Sequence, residues 1–403
     1  MSNANGGMER AVHGAMDYAE LARLGLQPEE ILDFSVNSNP YFQYPQAGRK
    51  GVQAPAASHK GEYTDETRRG QVELHYGPSP RVREALVSVV LERYPDRESL
   101  QLRQTILERE LASTQLSLSS ILCGNGTSEL IWTIARTYLK VGDRAAIIGP
   151  TFGEYAAACR AVGATIVEAR SSIEKSFQHS SEELGAWIRS EQPRIVWLCN
   201  PNNPTGTWLN RSQILPILKA CRHADAWLVI DEAYQKFLVP AEPYSTVELL
   251  ETVPAARVIV LRSLTKDYAL AAARLGYLVS SAESVAQLSL QLPAWNVSGF
   301  AQAAGVAALN DQEYLNAMLQ QLVVERNAFF QALGRIGLPA IPSRTHFCLL
   351  DVRDACRVRQ QLLARKMLVR DCTSFGLPQY IRVATRPAAD WQQLLSVLQE
   401  VAI

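Results

Sequence analysis

Long hydrophobic runs are missing from this 403-residue chain. No uninterrupted apolar stretch approaches the ~20 residues that a bilayer span requires, and the opening "MSNANGGMER" lacks the basic flank and apolar core of an export signal. A soluble, cytoplasmic protein with no membrane partner is expected. Net charge is missing too: 40 Lys and Arg balance 40 Asp and Glu, so no global field gathers nucleic acid or an anionic surface. Cysteine is sparse and unpaired in pattern, with seven residues scattered at 123, 159, 199, 221, 348, 356 and 372 and no C-x-x-C. That usage points to reduced, mostly buried thiols and away from a disulfide framework or a zinc site, so no metal is expected. No internal repeat is visible. What the chain does have is 47% hydrophobic residues, enough for a large core, and a length that suggests two domains.

From about residue 120 to 280 short apolar runs alternate with segments of helical period: "SILC" then "TSELIWTIARTYL", "RAAIIG" then "FGEYAAACRAVG", and later "RIVWLC", "AWLVID" and "RVIVLRS". Runs rich in β-branched residues and bounded by Gly, Pro and Asn have the pattern of buried strands, and their alternation with helices predicts an α/β domain with a mainly parallel sheet. In such sheets ligands gather at the carboxyl ends of the strands. Five polar clusters fall there: "GNGTSE", "PTFGEY", "NPNNPTG", "DEAY" and "SLTK". Turn chemistry alone accounts for any one of them; five converging ends suggest a shared pocket.

From about residue 312 the pattern changes to a long helix, then the strands "HFCLLDV" and "YIRVAT". A final helix follows, with Trp391, Leu394, Leu395, Leu398 and Val401 on one face. The expected organisation is an N-terminal segment (1–80), a large α/β domain (81–300) and a smaller α+β domain (301–403) against which the N-terminal segment packs. Residues 42–76, polar and punctuated by Gly and Pro, are expected to form a surface insertion, either a lid or a disordered segment.

"NPNNPTG", "DEAY" and S-x-x-K followed eight residues later by Arg resemble the aminotransferase class I/II family of fold-type-I enzymes that use pyridoxal 5'-phosphate (PLP). "HGAMDYAELARLGLQPEEILDFSVNSNP" and "RDCTSFGLPQYIRVATR" resemble threonine-phosphate decarboxylases, with histidinol-phosphate aminotransferases as the nearest wider group. The resemblance spans nearly the whole chain except the insertion. It implies that Lys266 is the amine that condenses with the cofactor aldehyde and then moves protons, while Asp231 keeps the ring nitrogen protonated so that the ring can act as an electron sink. Tyr234 and Asn203 are implied to hydrogen-bond the phenolic oxygen, and Phe152 to stack on the ring. Gly126, Thr127, Ser263 and Arg274 are implied to cradle the phosphate, helped by free N–H groups at a helix N-terminus. Tyr94 of "RYPD" resembles a tyrosine that reaches the phosphate from a neighbouring subunit, which implies a homodimer. On the substrate side Arg382 matches a carboxylate-binding arginine. Arg370 matches one that reads a phosphate, with Arg386 as a further candidate, and His13 resembles a histidine near that phosphate.

This chain departs from the decarboxylase pattern at its substrate end. H-G-G-N is replaced by "HGAM", and Asp17 adds an acid that could recognise a cationic side chain or repel a phosphate. Four readings follow. A decarboxylase of a phosphoamino acid comes first, by overall likeness. An aminotransferase shares the apparatus, and a lyase performing elimination, replacement or cyclisation on a hydroxylated or guanidino amino acid fits the altered end. A non-catalytic PLP-binding protein is opposed by the intact Lys266, Asp231 and Arg382.

Overall fold

A computed structural model describes residues 14–39, 77–241, 245–253 and 257–402. In chain order the strands are β1 (Leu32–Asp33), β2 (Ile121–Asn125), β3 (Arg144–Gly149), β4 (Thr165–Arg170), β5 (Ile195–Cys199), β6 (Trp227–Asp231), β7 (Val258–Ser263), β8 (Leu275–Val279), β9 (Phe347–Asp351), β10 (Met367–Leu368), β11 (Arg370–Asp371) and β12 (Tyr380–Ala384). Seven of them form one sheet in the order β2-β8-β7-β6-β5-β3-β4. The run β7-β6-β5-β3-β4 is parallel, and β8 is antiparallel to both of its neighbours. The fold is therefore α/β with a mainly parallel sheet, as the alternating pattern predicts.

Alternation along the central strands divides their side chains between two cores. Val196, Leu198, Leu228, Ile230, Val258 and Val260 enter one, and Ile195, Trp197, Trp227, Val229, Ile259 and Leu261 the other. A strand covered by helices on both faces reads as a continuous apolar run, which is why these strands stand out in the sequence. Strand β4, "TIVEAR", lies at the sheet edge and stays half exposed; its charged residues conceal it from a search for apolar runs.

The C-terminal part builds a second sheet, β11-β12-β9, all antiparallel, packed with the long helix Gln312–Arg335 and the last helix Ala388–Val401. Trp391, Leu394 and Leu398 are buried there with Phe329 and Val383. The N-terminal segment joins this part through parallel pairing of β1 with β10. Among the described residues no helix is long and apolar enough to cross a membrane. All seven cysteines are unpaired, and only Cys356 is exposed. The expected insertion at 42–76 lies outside the described residues.

Candidate active site

A cavity of about 590 Å³ opens at the carboxyl ends of β5, β6 and β7, between the large sheet, the N-terminal segment and β11–β12. Lys266 enters it from the short helix Leu264–Asp267, which follows β7 directly. That turn is clamped from the N-terminal segment: Asn39 N donates to the Lys266 carbonyl at 2.8 Å, and Asn39 Nδ2 to the Asp267 carbonyl at 3.3 Å. Behind it lies a buried charge network in which Glu110 pairs with Lys236 at 3.0 Å and Arg262 with Glu232 at 2.9 Å. Tyr268 adds a hydrogen bond to Glu110 at 2.6 Å. Burial, with the charges of Arg382 and Arg274, lowers the Lys266 ammonium to about 8. A substantial share of it is thus an unprotonated amine near neutral pH, as a nucleophilic lysine requires.

Asp231 closes β6. Its Oδ2 accepts from the Tyr155 hydroxyl at 2.8 Å and its Oδ1 from Ala233 N at 3.0 Å. Burial holds this carboxyl above its ordinary value despite the nearby Lys266, and a further cation beside it would favour its charged form. Tyr155 is packed flat on Trp197, with ring centroids 5.1 Å apart, and Phe152 meets Tyr155 edge-on at 5.6 Å. Tyr234 lies edge-on to Phe347 at 5.2 Å, its phenol pushed up by burial.

At the other wall the helix Gly126–Tyr138 points its N-terminus at the cavity, with no side-chain cap from Asn125. Its first-turn N–H groups are therefore available to an anion, and Thr127 lines the cavity. Gly126 adopts φ 75°, and a Cβ there would stand 2.6 Å from Arg274 Nη2. Only glycine leaves this concavity open. Ser263 and Thr265 line the same corner with their hydroxyls 2.7 Å apart.

Arg382 is 3% exposed. It donates Nη1 to Asn203 Oδ1 and Nη2 to the Ser35 carbonyl, and its Nε has no hydrogen-bond partner among the described residues. Arg370 lies beside it, buried, donating Nη2 to Ser374 Oγ at 2.6 Å. Burial and the Arg382 charge bring Arg370 down to about 10. Both side chains pass close to Gly14, whose Cβ would lie 2.8 Å from the Ser35 carbonyl, 3.2 Å from Arg382 Nη2 and 3.5 Å from Arg370 Cδ. Arg386 also lines the cavity, its guanidinium paired with Asp390 at 2.9 Å and donating to the Asp33 carbonyl at 2.9 Å.

The structure thus brings together Lys266, Asp231, Tyr234, Asn203, Phe152, Thr127, Ser263, Arg274, Arg382 and Arg370 around one cavity, with Gly126 in contact with Arg274. Asp17 is not part of the lining. Its Oδ1 accepts from Ala19 N and Glu20 N as the N-cap of the helix Tyr18–Leu24, and the acid expected to face the substrate is instead satisfied by local backbone. Tyr94 is 80% exposed and stacked on Trp295 at 4.6 Å, outside this cavity. His13 lies outside the described residues. Three contributors were not singled out in the sequence: Tyr155 and the N-terminal pair Ser35 and Asn37. Tyr155 stands in the first turn of the helix Glu154–Ala161, three residues after Phe152 in "PTFGEY".

A flat ring with a cationic nitrogen and a phosphate arm matches this arrangement. Asp231 offers a buried carboxylate at one end, the Gly126 concavity and Arg274 an anion cradle at the other, and Lys266 an amine beside them. A model of the family described as aminotransferase class I and II matches residues 30–400. The histidinol-phosphate aminotransferase of Caldicellulosiruptor saccharolyticus is 30% identical over 328 residues, 81% of this chain and 88% of that protein. Among solved structures, histidinol-phosphate aminotransferase from Sinorhizobium meliloti in complex with PLP superposes with a TM-score of 0.77 at 23% identity, covering 96% of this chain and 95% of that one. L-threonine-O-3-phosphate decarboxylase from Porphyromonas gingivalis superposes with a TM-score of 0.69 at 26% identity, covering 80% and 95%.

Proposed function

The chain belongs to the aminotransferase class I and II family, and from that premise we propose that this PLP-dependent enzyme is an aminotransferase whose amino donor carries an anionic group, a carboxylate or a phosphate ester. The observation that carries the anionic donor is the pair of buried arginines, Arg382 and Arg370, in the cavity that Lys266 enters. Two like charges brought this close out of water are costly alone, and an anion between them removes the cost. Arg382, with Asn203 and Ser35 holding its Nη atoms, would bring its positive charge to the ligand.

PLP, when bound, supplies an electron sink for a carbanion at the substrate Cα. Asp231, oriented by Tyr155, holds the proton on the ring nitrogen. Tyr234 and Asn203 would hydrogen-bond the phenolic oxygen, Phe152 would pack against the ring, and Thr127, Ser263 and Arg274 would hold the phosphate. Lys266, its ammonium lowered by burial to about 8, would take and return the proton at Cα. Similarity to histidinol-phosphate aminotransferases over four-fifths of the chain supports amino-group transfer ahead of decarboxylation, the reading that the sequence motifs put first. Likeness to threonine-O-3-phosphate decarboxylase keeps decarboxylation as the second reading.

A homodimer goes with this proposal. Val87, Val90, Leu91, Tyr94, Leu290 and Trp295 are exposed apolar side chains on two segments that touch through the Tyr94–Trp295 stack, and a second copy would cover them. Tyr94 on that surface is the group that would reach a partner's phosphate cradle.

The test is product analysis. Holoenzyme is incubated with histidinol phosphate or O-phosphothreonine and 2-oxoglutarate. Glutamate formed in step with an oxo product supports the proposal; carbon dioxide release without glutamate replaces it with the decarboxylase.

A further inference from the structure

Edge strand β4 ends against the segment that shapes the distal end of the cavity. Arg170, its last residue, donates Nη2 to the Phe375 carbonyl at 2.5 Å while Nη1 pairs with Glu168 at 2.9 Å. Phe375 closes the 3₁₀ turn Thr373–Phe375. Gly376 follows at φ 71°, where a Cβ would lie 2.8 Å from Arg170 Nη2. The guanidinium therefore lies flat against a backbone that only glycine leaves bare.

That turn holds Arg370. Ser374 Oγ accepts from Arg370 Nη2 at 2.6 Å, and the Arg370 guanidinium lies over the Phe375 ring, 5.2 Å from its centroid. Contacts thus run unbroken from the edge of the large sheet to a buried charge in the cavity: Arg170, the 374–376 backbone, then Ser374 and Phe375 on Arg370. The same junction is packed by Phe177, which follows β4 and meets Tyr380 edge-on at 5.9 Å in a cluster with Phe375 and Leu377. Arg370 needs such a brace, because Arg382 repels it.

We propose that Arg170 is a positioning residue for substrate specificity: by pinning the Thr373–Gly376 turn to the large sheet, it fixes Arg370 where it can grip the donor's phosphate or other distal anion. Arg170 itself touches no substrate. The inference rests on the reading of Arg370 given above. A side chain held within a fraction of an ångström makes full use of its hydrogen bonds, and a loosened one does not.

The experiment measures affinity for matched ligands with and without phosphate, histidinol phosphate against histidinol and O-phosphothreonine against threonine. Binding is followed through the absorbance of the bound cofactor in wild type, Arg170→Ala, Arg170→Lys, Arg370→Ala and the double alanine variant. Arg370→Ala is expected to lower affinity for the phosphate-bearing member about 100-fold more than for its phosphate-free counterpart, and Arg170→Ala about 10-fold, with the phosphate-free member unchanged in Arg170→Ala. The double variant should match Arg370→Ala alone, because Arg170 acts through Arg370. Arg170→Lys, which keeps one donor for the Phe375 carbonyl, should recover most of the loss. Far-UV circular dichroism checks that each variant is folded. If Arg370→Ala is selective while Arg170→Ala behaves as wild type, or if the two losses add in full, the inference is overturned and the reading of Arg370 stands. If wild type shows no preference for phosphate, or Arg370→Ala keeps it, the reading of Arg370 fails and the inference with it.

Discussion

Lys266 and Asp231 oppose each other in the cavity, and each shifts the other's titration. Burial lowers the Lys266 ammonium to about 8, and Asp231 partly offsets that by favouring the charged amine. In cofactor-free protein Lys266 should react with an amine-selective reagent along a curve centred near pH 8, well below the ordinary lysine value of about 10.4. Asp231→Asn should move that midpoint lower still, because the favourable charge is gone while the burial remains. Peptide mass spectrometry across a pH series reads both curves, and a midpoint that rises in Asp231→Asn would overturn the assignment. Loaded with cofactor, Asp231→Asn should keep PLP and lose about 100-fold or more in turnover, since an amide does not stabilise a protonated ring as a carboxylate does. The two arginines carry the corresponding argument for the donor, with Arg382 fixed at three points by Asn203 and Ser35 on its Nη atoms and by its place in β12.

One helix and one short turn do most of the positioning. The helix Gly126–Tyr138 begins without a side-chain cap, and its first residue has a backbone conformation that disfavours any side chain. Gly126→Ala should therefore weaken PLP binding by at least about 10-fold, since the new Cβ forces Arg274 away and strains the turn. The strain costs cofactor-free protein only about 1 kcal/mol. Equilibrium dialysis gives the first quantity and denaturant melts the second; unchanged PLP affinity would remove the concavity from the phosphate site. Strands β5, β6 and β7 were legible from the sequence because both of their faces are buried. Strands β4 and β8 were not. The first shows charged residues at an edge, and the second, "LGYLV", runs against its neighbours immediately after the Lys266 loop, where the sequence reads as motif and turn.

At the scale of the whole molecule the exposed apolar surface around the Tyr94–Trp295 stack has the strongest consequence. Trp295→Glu places a charge in the middle of it and should weaken self-association about 100-fold, as loss of a central aromatic does at protein interfaces. If Tyr94 serves a partner's site, the monomer formed also loses PLP affinity. Sedimentation velocity together with cofactor titration tests this, and a fully active monomer in either wild type or variant refutes the shared site.

The residues proposed to serve the cofactor were legible in the sequence, because they sit at strand ends and turns whose local pattern is short and contiguous: "DEAY", "NPNNPTG", "GNGTSE" and "SLTK". Each needs only its own strand to deliver it to the sheet edge. The substrate end depended on the tertiary structure. Asp17 looked like a substrate ligand and is a helix cap, Tyr155 supports Asp231 from another strand's helix, and Ser35, Asn39 and Gly14 reach Arg382, Lys266 and Arg370 across more than two hundred residues of chain. Such contacts exist only after the N-terminal segment has paired with β10, and a pattern of neighbours along the chain carries no record of that pairing.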